Sequence, residues 1–504
     1  MTSKRRISLQ LILKTCALFA SAGFIVMYVV VALKRLPYPF ELEWMEGSMV
    51  DHVRRVLNGL PLYTSPSLDF VPFLYPPLYY WTAAAVAQLT GIGFEPLRIV
   101  SLAASLGAML LMFVLVRRES GSWKIGLIAA GVFAATYRNV GGWFDVGRVD
   151  SLFLMLVLTA VCLIRCRETL PSWIIAGLAL AAAVLTKQVA LAPAAALIAY
   201  GWWCNRRLAA ALSASFILVI ASSVVWMSFA SDGWFWYYVF AQPATHKIAF
   251  ASAVYFVCRS LCFGMGIALL AAIAGLAWLR RSGDTKSFLF WALLIAGMFA
   301  ASALPATKDG GWQNNLLPVY SVLAMMLALA AQKFCALDEP QAASPAVRPP
   351  LHVSTLVWTA VVIQLAALLY NPSVRLPTAA DERAGRDFIA QLSAFKGEVL
   401  VFSHGYLPLM AGKEPHANYI AVTDVLAGGC ARAQEMLLAD VHQALKEKRF
   451  AAIVLDAPND LDFAAAELAE SYRFERRVFD DPNVFWPVSG YPTRPQVIYL
   501  PRPE

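Results

Sequence analysis

Residues 8–47 read SLQLILKTCALFASAGFIVMYVVVALKRLPYPFELEWMEG. An apolar run near 11–33 meets Lys34 and Arg35, and three carboxylates follow, Glu41, Glu43 and Glu46. About 20 apolar residues cross a bilayer, so the run predicts a transmembrane helix. It is longer than the roughly 7–15-residue apolar core of a signal peptide and lacks a small-residue cleavage pattern. The helix is expected to be retained, with the basic residues at 4–6 on the cytoplasmic side. Carboxylates beside a membrane are costly, so three of them directly after a span need a reason.

The rest of the chain repeats this pattern. Of 504 residues, 59% are hydrophobic and only 15% charged, against about 25% charged in soluble domains. Mean hydropathy is +0.59. The net charge of +8 comes from short basic clusters between apolar runs, which is how positive-inside anchors are placed. No basic face or base-stacking module is present, which excludes nucleic acid as a partner. The eight cysteines form no CxxC or Cys/His pattern with zinc spacing. Cys162/Cys166 and Cys258/Cys262 are i,i+4 pairs that read as small apolar packing residues.

Further spans are expected near 97–116, 124–140, 149–164, 208–228, 253–279, 287–303, 314–331 and 351–370. The stretch 172–203 is too long for one span and is flanked by arginines at both ends. It is expected to fold as a hairpin of two short spans, with Thr186, Lys187 and Gln188 at the outer turn. The stretch 76–90 is short for a span. It is expected to lie in the outer interface, with Tyr79, Tyr80 and Trp81 as interfacial aromatics. The basic clusters at 117–124, 165–167, 206–207 and 280–286 then fall inside.

The expected fold is a polytopic α-helical membrane protein with about eleven transmembrane helices and a C-terminal extramembrane α/β domain. The transmembrane domain covers 1–370, with a first outer loop at 34–96. Residues 332–350 read as a cytoplasmic linker. The outer domain covers 371–504, with strands expected at 397–404, 450–458 and 496–503. Amphipathic helices are expected at 381–395 and 431–449.

This topology gathers polar residues on the outer face. Glu43 and Glu46 share a helix face. They read either as helix-start acids or as a general base for an acceptor hydroxyl. Asp145, Arg148 and Asp150 occupy one outer turn, and Arg148 and Asp150 are also placed to neutralise each other. Lys187 stands alone in the apolar hairpin, where an anion such as a phosphate would satisfy it. His246 lies in the 229–252 loop. Lys308, Asn314 and Asn315 sit at another outer turn. The aromatic segment 70–81 reads as a surface anchor or as a wall gripping a lipid carrier or sugar. Carboxylates, cations and amides on one side suit an anionic, lipid-linked substrate.

The order of motifs resembles the polytopic GT-C glycosyltransferases, in particular the bacterial glycosyltransferase 39 or ArnT-like group. The motifs are ELEWMEG (41–47), NGLPLY (58–63), YPPLYYW (75–81), GRVDSL (147–152), LTKQ (185–188) and NNLLPVY (314–320). The resemblance implies a GT-C fold in the bacterial inner membrane, with the C-terminal domain periplasmic. It implies an inverting glycosyltransferase that takes a sugar from a polyprenyl-phosphate carrier to a lipid, glycan or protein acceptor. It points to Glu43 as catalytic base, with Glu46 next and Glu41 third. It gives Arg148 and Asp150 a role in orienting the first loop or the donor. It makes Lys187 and Lys308 phosphate-binding candidates and places Tyr75 and Tyr79 along the donor site. No cofactor or metal site is assigned, and a divalent metal is left open. The competing classes are a lipid-linked sugar flippase and a glycan polymerase or ligase. A transporter places its ionisable groups near the midplane, whereas here they cluster at one face.

Overall fold

The first apolar run forms a single helix, α1 (Leu9–Arg35), in a computed structural model that describes residues 9–308, 310–336 and 353–503. The buried positions of α1 are Ala17, Ser21, Phe24, Tyr28, Val31, Ala32 and Arg35. They recur every three or four residues, which makes one stripe. Phe19, Val26 and Leu33 point away and are exposed, as side chains facing lipid should be. The basic cluster at 4–6 and most of the 332–350 linker lie outside the described residues.

Six described helices are long and apolar enough to cross a membrane: α1, Phe94–Ser120, Arg206–Ala230, Phe250–Arg281, Thr285–Ala306 and Gln313–Cys335. Val353–Ala367 makes a seventh when joined to 372–394, from which it bends by 54°. Every expected span is helical, but four of the eleven positions carry shorter elements. These are α5 (Trp123–Ala135), α6 (Asp150–Cys166), α7 (Leu170–Thr186) and α8 (Leu191–Cys204). The break between α7 and α8 falls at Lys187, as expected. Trp173 near the start of α7 abuts Gly201 near the end of α8, so the two run antiparallel. The Gln313–Cys335 helix is the most enclosed of the six and forms the centre of the bundle.

Two ends of the bundle are chemically distinct. At one end Arg165 pairs with Glu119 at 2.8 Å and donates to Ser287 Oγ, and Lys286 pairs with Glu168. Gln332 there donates to the Ser120 carbonyl. This gathers the basic clusters of 117–124, 165–167 and 280–286. The acidic first loop lies at the other end.

The first loop holds two helices, α2 (Glu46–Leu57) and α3 (Leu78–Thr90), before α4 (Phe94–Ser120). Here the expectation for 76–90 needs correction. Of the three expected interfacial aromatics only Trp81 is exposed, while Tyr79 and Tyr80 are fully buried. The Tyr79 hydroxyl donates to the Leu97 carbonyl at 2.9 Å and meets Ser101 Oγ, and the Tyr80 ring stacks on His52. A buried tyrosine normally finds a partner for its hydroxyl; α4 supplies it for Tyr79, while the Tyr80 hydroxyl is buried without one. The helix therefore packs on protein through its tyrosines.

Residues 379–503 form the C-terminal α/β domain, called the outer domain below after its expected side. Four strands, β1 (Glu398–Val401), β2 (Phe450–Leu455), β3 (Tyr472–Arg477) and β4 (Val497–Pro501), make a sheet of order β1-β2-β4-β3. β1 and β2 are parallel, and the other pairings are antiparallel. The expected strands are β1, β2 and β4. β3 escapes a hydrophobicity reading because its sequence, YRFERR, is charged and exposed beyond Tyr472. Charged side chains suit a sheet edge, where they block pairing with another chain. The amphipathic helices run Ala379–Ala394 and Ala431–Lys446, and the four-stranded sheet is completed by shorter helices at Tyr419–Ala427 and Ala465–Ser471. All eight cysteines are free of disulfides.

Candidate active site

The three glutamates of ELEWMEG go to three different partners. Glu46 opens α2 and is 1% exposed. Arg98 of α4 grips it at 2.7 and 3.2 Å, and the backbone N–H groups of Leu42 and Gly147 donate at 2.8 and 2.6 Å. Burial works against the carboxylate, but Arg98 and these donors hold its pKa below the usual range. Arg98 also donates to the carbonyls of Arg35, Tyr38 and Phe40. This pair closes the first loop onto α1, α4 and the 147 turn. With its lone pairs occupied, Glu46 is built as a strut.

Glu41 turns toward the outer domain. One oxygen accepts from the Gly47 N–H at 3.1 Å and the other bonds His404 Nδ1. His404 follows β1 and Asp456 follows β2, so both stand at the C-terminal ends of the parallel strands. His404 Nε2 lies 3.1 Å from both Asp456 oxygens. Burial opposes the imidazolium, but Asp456 and Glu41 overcome it and push its pKa up to about 10. Gly47 allows this seam: a Cβ there would sit 2.4 Å from Glu41 Oε1 and 2.9 Å from the Tyr406 nitrogen.

The raised His404 pKa predicts a pH dependence. Its stabilisation of this seam is fully present below the unfolded value of 6.5 and is lost as pH rises through about 10. Hydrogen exchange of α2 should accelerate across that alkaline range. His404→Gln should abolish the alkaline step, and an unaltered step would show that His404 does not hold the seam.

Glu43 is 0% exposed. Its Oε2 accepts from Arg148 Nη1 at 3.1 Å and from the Met45 N–H at 3.3 Å. Its Oε1 is buried with no hydrogen-bond partner. Burial is the main cause that lifts its pKa to about 7; Arg148 opposes the rise, and Glu46 and Glu41 add to it. Arg148 donates its other arm to the Tyr75 hydroxyl at 2.8 Å, and its Nε lacks a partner. The rings of Tyr75 and Trp143 lie 5.5 and 5.7 Å from the guanidinium, and the buried Trp143 Nε1 is unpartnered too. Buried polar atoms are normally paired. Three unpaired ones lie on Glu43, Arg148 and Trp143.

Beside it, Asp150 at the start of α6 accepts from Lys187 at 2.7 Å and from Asn314 at 3.0 Å. Lys187 also donates to Asn315 Oδ1 at 3.0 Å. Arg148 and Asp150 therefore do not neutralise each other, because each has its own partner. The structure thus joins Glu43, Arg148 and Tyr75 in one group and Asp150, Lys187, Asn314 and Asn315 in another, Asp150 lying two residues after Arg148.

The remaining candidates lie outside both groups. Tyr79 packs inside the α3–α4 contact, where its hydroxyl meets Ser101 Oγ, which donates to the Arg148 carbonyl at 3.2 Å. His246 faces Asp424 of the outer domain at 3.4 Å. Lys308 donates to the Pro243 carbonyl at 2.7 Å, and no carboxylate among the described residues pairs with it. Among the described residues, no group of three or more His, Cys, Asp or Glu side chains is placed to hold a metal ion.

Sequence reading missed Arg98, Arg35, Trp143 and His404. Arg98 carried a signal, a single arginine at the head of a long apolar run. Arg35 pairs with Asp145 at 3.2 Å, and Tyr137 donates to the same carboxylate.

Residues 75–229 match the family of dolichyl-phosphate-mannose-protein mannosyltransferases. No curated protein sequence matches the chain. The structure is similar to that of ArnT from Cupriavidus metallidurans bound to undecaprenyl phosphate. The TM-score is 0.59 at 13% identity, over 95% of this chain and 97% of that one. The chain has the GT-C fold. The resemblance read from the motif order is borne out. The apo oligosaccharyltransferase of Archaeoglobus fulgidus is similar too, with a TM-score of 0.54 at 10% identity. That likeness covers 90% of this chain and 73% of the other. The family match on this GT-C chain spans YPPLYYW, GRVDSL and LTKQ, which carry Tyr75, Arg148, Asp150 and Lys187.

Proposed function

We propose that this protein is an inverting glycosyltransferase, moving a sugar from a polyprenyl-phosphate carrier to a hydroxyl of a lipid, glycan or protein acceptor. The observation that carries this reading is the unpartnered, buried oxygen of Glu43 beside Arg148. A carboxylate with a pKa near 7 is well matched to general-base work at neutral pH.

The acceptor oxygen attacks the anomeric carbon as the bond from that carbon to the phosphate oxygen breaks. The polyprenyl phosphate departs with the bonding electrons, and the acceptor proton passes to Glu43 Oε1. Arg148 holds the carboxylate in place, and Tyr75 holds Arg148. Of the two lysines proposed for the phosphate, Lys308 donates to the Pro243 carbonyl, outside the Glu43–Arg148 group. Lys187 is neutralised by Asp150 and orders Asn314 and Asn315. Cations stabilise the charge that grows on a leaving phosphate.

The donor class is supported by the undecaprenyl phosphate bound to ArnT and by the dolichyl-phosphate-mannose donors for which the matching family is named. The side is supported by the separation of basic clusters from the carboxylate end. Positive-inside bias supports a reading with Glu43 and the outer domain on the non-cytoplasmic face and the N-terminus cytoplasmic. That one-sided placement also favours transfer over flipping.

The test uses the purified chain in lipid nanodiscs with radiolabelled polyprenyl-phosphate sugars and a total envelope lipid and glycan extract. The expected result is label moved to an acceptor together with release of polyprenyl phosphate. Movement of the intact donor across proteoliposomes, with no transfer, would support the flippase instead.

A further inference from the structure

The C-terminal domain meets the stem of Glu43 through one turn, 488–490. The Ser489 N–H donates to the carbonyl of Leu42, the residue between Glu41 and Glu43, at 2.9 Å. The Ser489 hydroxyl donates to the Gly142 carbonyl at 3.1 Å and accepts from Arg35 Nη2 at 2.8 Å. Arg375 donates to the Val488 carbonyl at 2.9 Å and to the Gly141 carbonyl at 3.2 Å. The turn is thereby tied to the first loop, to the end of α1 and to the 141–142 turn. Gly490 has φ +74°, and a Cβ there would lie 2.7 Å from Glu43 Cγ and 3.1 Å from the Trp143 ring. No side chain fits between the turn and Glu43.

We propose that the 488–490 turn is a positioning element of the active site, seating the Glu43 carboxylate against Arg148 and making the outer domain part of the catalytic machinery. The inference rests on the reading of Glu43 as the base. Gly490 touches the stem of Glu43 and not the substrate, so it acts through that residue. A carboxylate held by one guanidinium and one backbone N–H retains freedom about its stem, and the turn removes it. Displacing a catalytic group by about 1 Å costs on the order of 10²-fold in rate.

The test compares wild type, Gly490→Ala, Ser489→Ala and Glu43→Gln in nanodiscs with two readouts. One is kcat and KM for transfer from the lipid-linked sugar. The other is the carboxyl band in infrared difference spectra across pH, with Glu43 identified by its loss in the glutamine variant. Gly490→Ala should lower kcat on the order of 10²-fold, with KM for the donor little changed, and should shift the Glu43 titration midpoint. Ser489→Ala adds no volume and should give a smaller shift of the same kind, which decides the matter if the alanine at 490 prevents folding. Variants with wild-type kcat and an unmoved midpoint would overturn the proposal. A moved midpoint in a protein with no transfer would uphold the seat and remove only the enzyme reading.

Discussion

Glu43→Gln is expected to lower the transfer rate by about 10²–10⁴-fold while leaving the protein folded and able to bind the lipid-linked donor. The amide is nearly the same size, so the contacts with Gly490 and Trp143 persist. It still accepts from Arg148 and Met45 through one oxygen. What it lacks is the capacity to take a proton. The loss should therefore fall on kcat rather than on KM for the donor. Glu43→Asp should retain part of the activity, since the base survives but is set back by one methylene. A glutamine variant that transfers at the wild-type rate would move the base to another residue. The measurement is single-turnover transfer with saturating donor.

Arg98→Ala is expected to destabilise the fold by about 3–5 kcal/mol, the usual consequence of removing one partner from a buried ion pair. The change strands the Glu46 carboxylate, which is 1% exposed, and leaves the carbonyls of Tyr38 and Phe40 without the guanidinium. Arg98→Lys should rescue little, because an ammonium cannot make the two parallel bonds to a carboxylate. Unfolding in a detergent titration reads the effect directly. The comparison with Glu43→Gln separates the two glutamates of ELEWMEG: one change removes rate and spares the fold, and the other removes the fold. An Arg98→Ala protein as stable as wild type would show that Glu46 is not the strut described above.

The helical architecture was legible because membrane spans follow from length and apolarity alone. The α7–α8 break at Lys187 was legible for a related reason, as arginines flank both ends of a run too long for one span. Tyr79 and Tyr80 were misplaced because an interfacial aromatic and a buried one have the same composition. What distinguishes them is tertiary: the Leu97 carbonyl of α4 for Tyr79 and the His52 ring of α2 for Tyr80. The candidate site was legible as an inventory of residues but not as a set of pairings. Glu43 and Arg148 are 105 residues apart, and nothing local says that Glu43 meets Arg148 while Glu46 meets Arg98. The contribution of the outer domain was hidden for the same reason. Ser489, Gly490 and His404 belong to a segment whose sequence shows strands and helices but not which loop of the membrane domain they touch.

The central claim is that Glu43 is the base of a lipid-linked glycosyl transfer. Its most direct test is the pH dependence of kcat/KM for the purified wild-type chain. The base must be ionised to accept a proton, and burial lifts the Glu43 pKa to about 7. The rate should therefore rise with pH through about 7, falling roughly tenfold per unit on the acid side, and this limb should vanish in Glu43→Gln. A rate that stays flat through that range, or an acid limb that survives in the glutamine variant, would contradict the assignment.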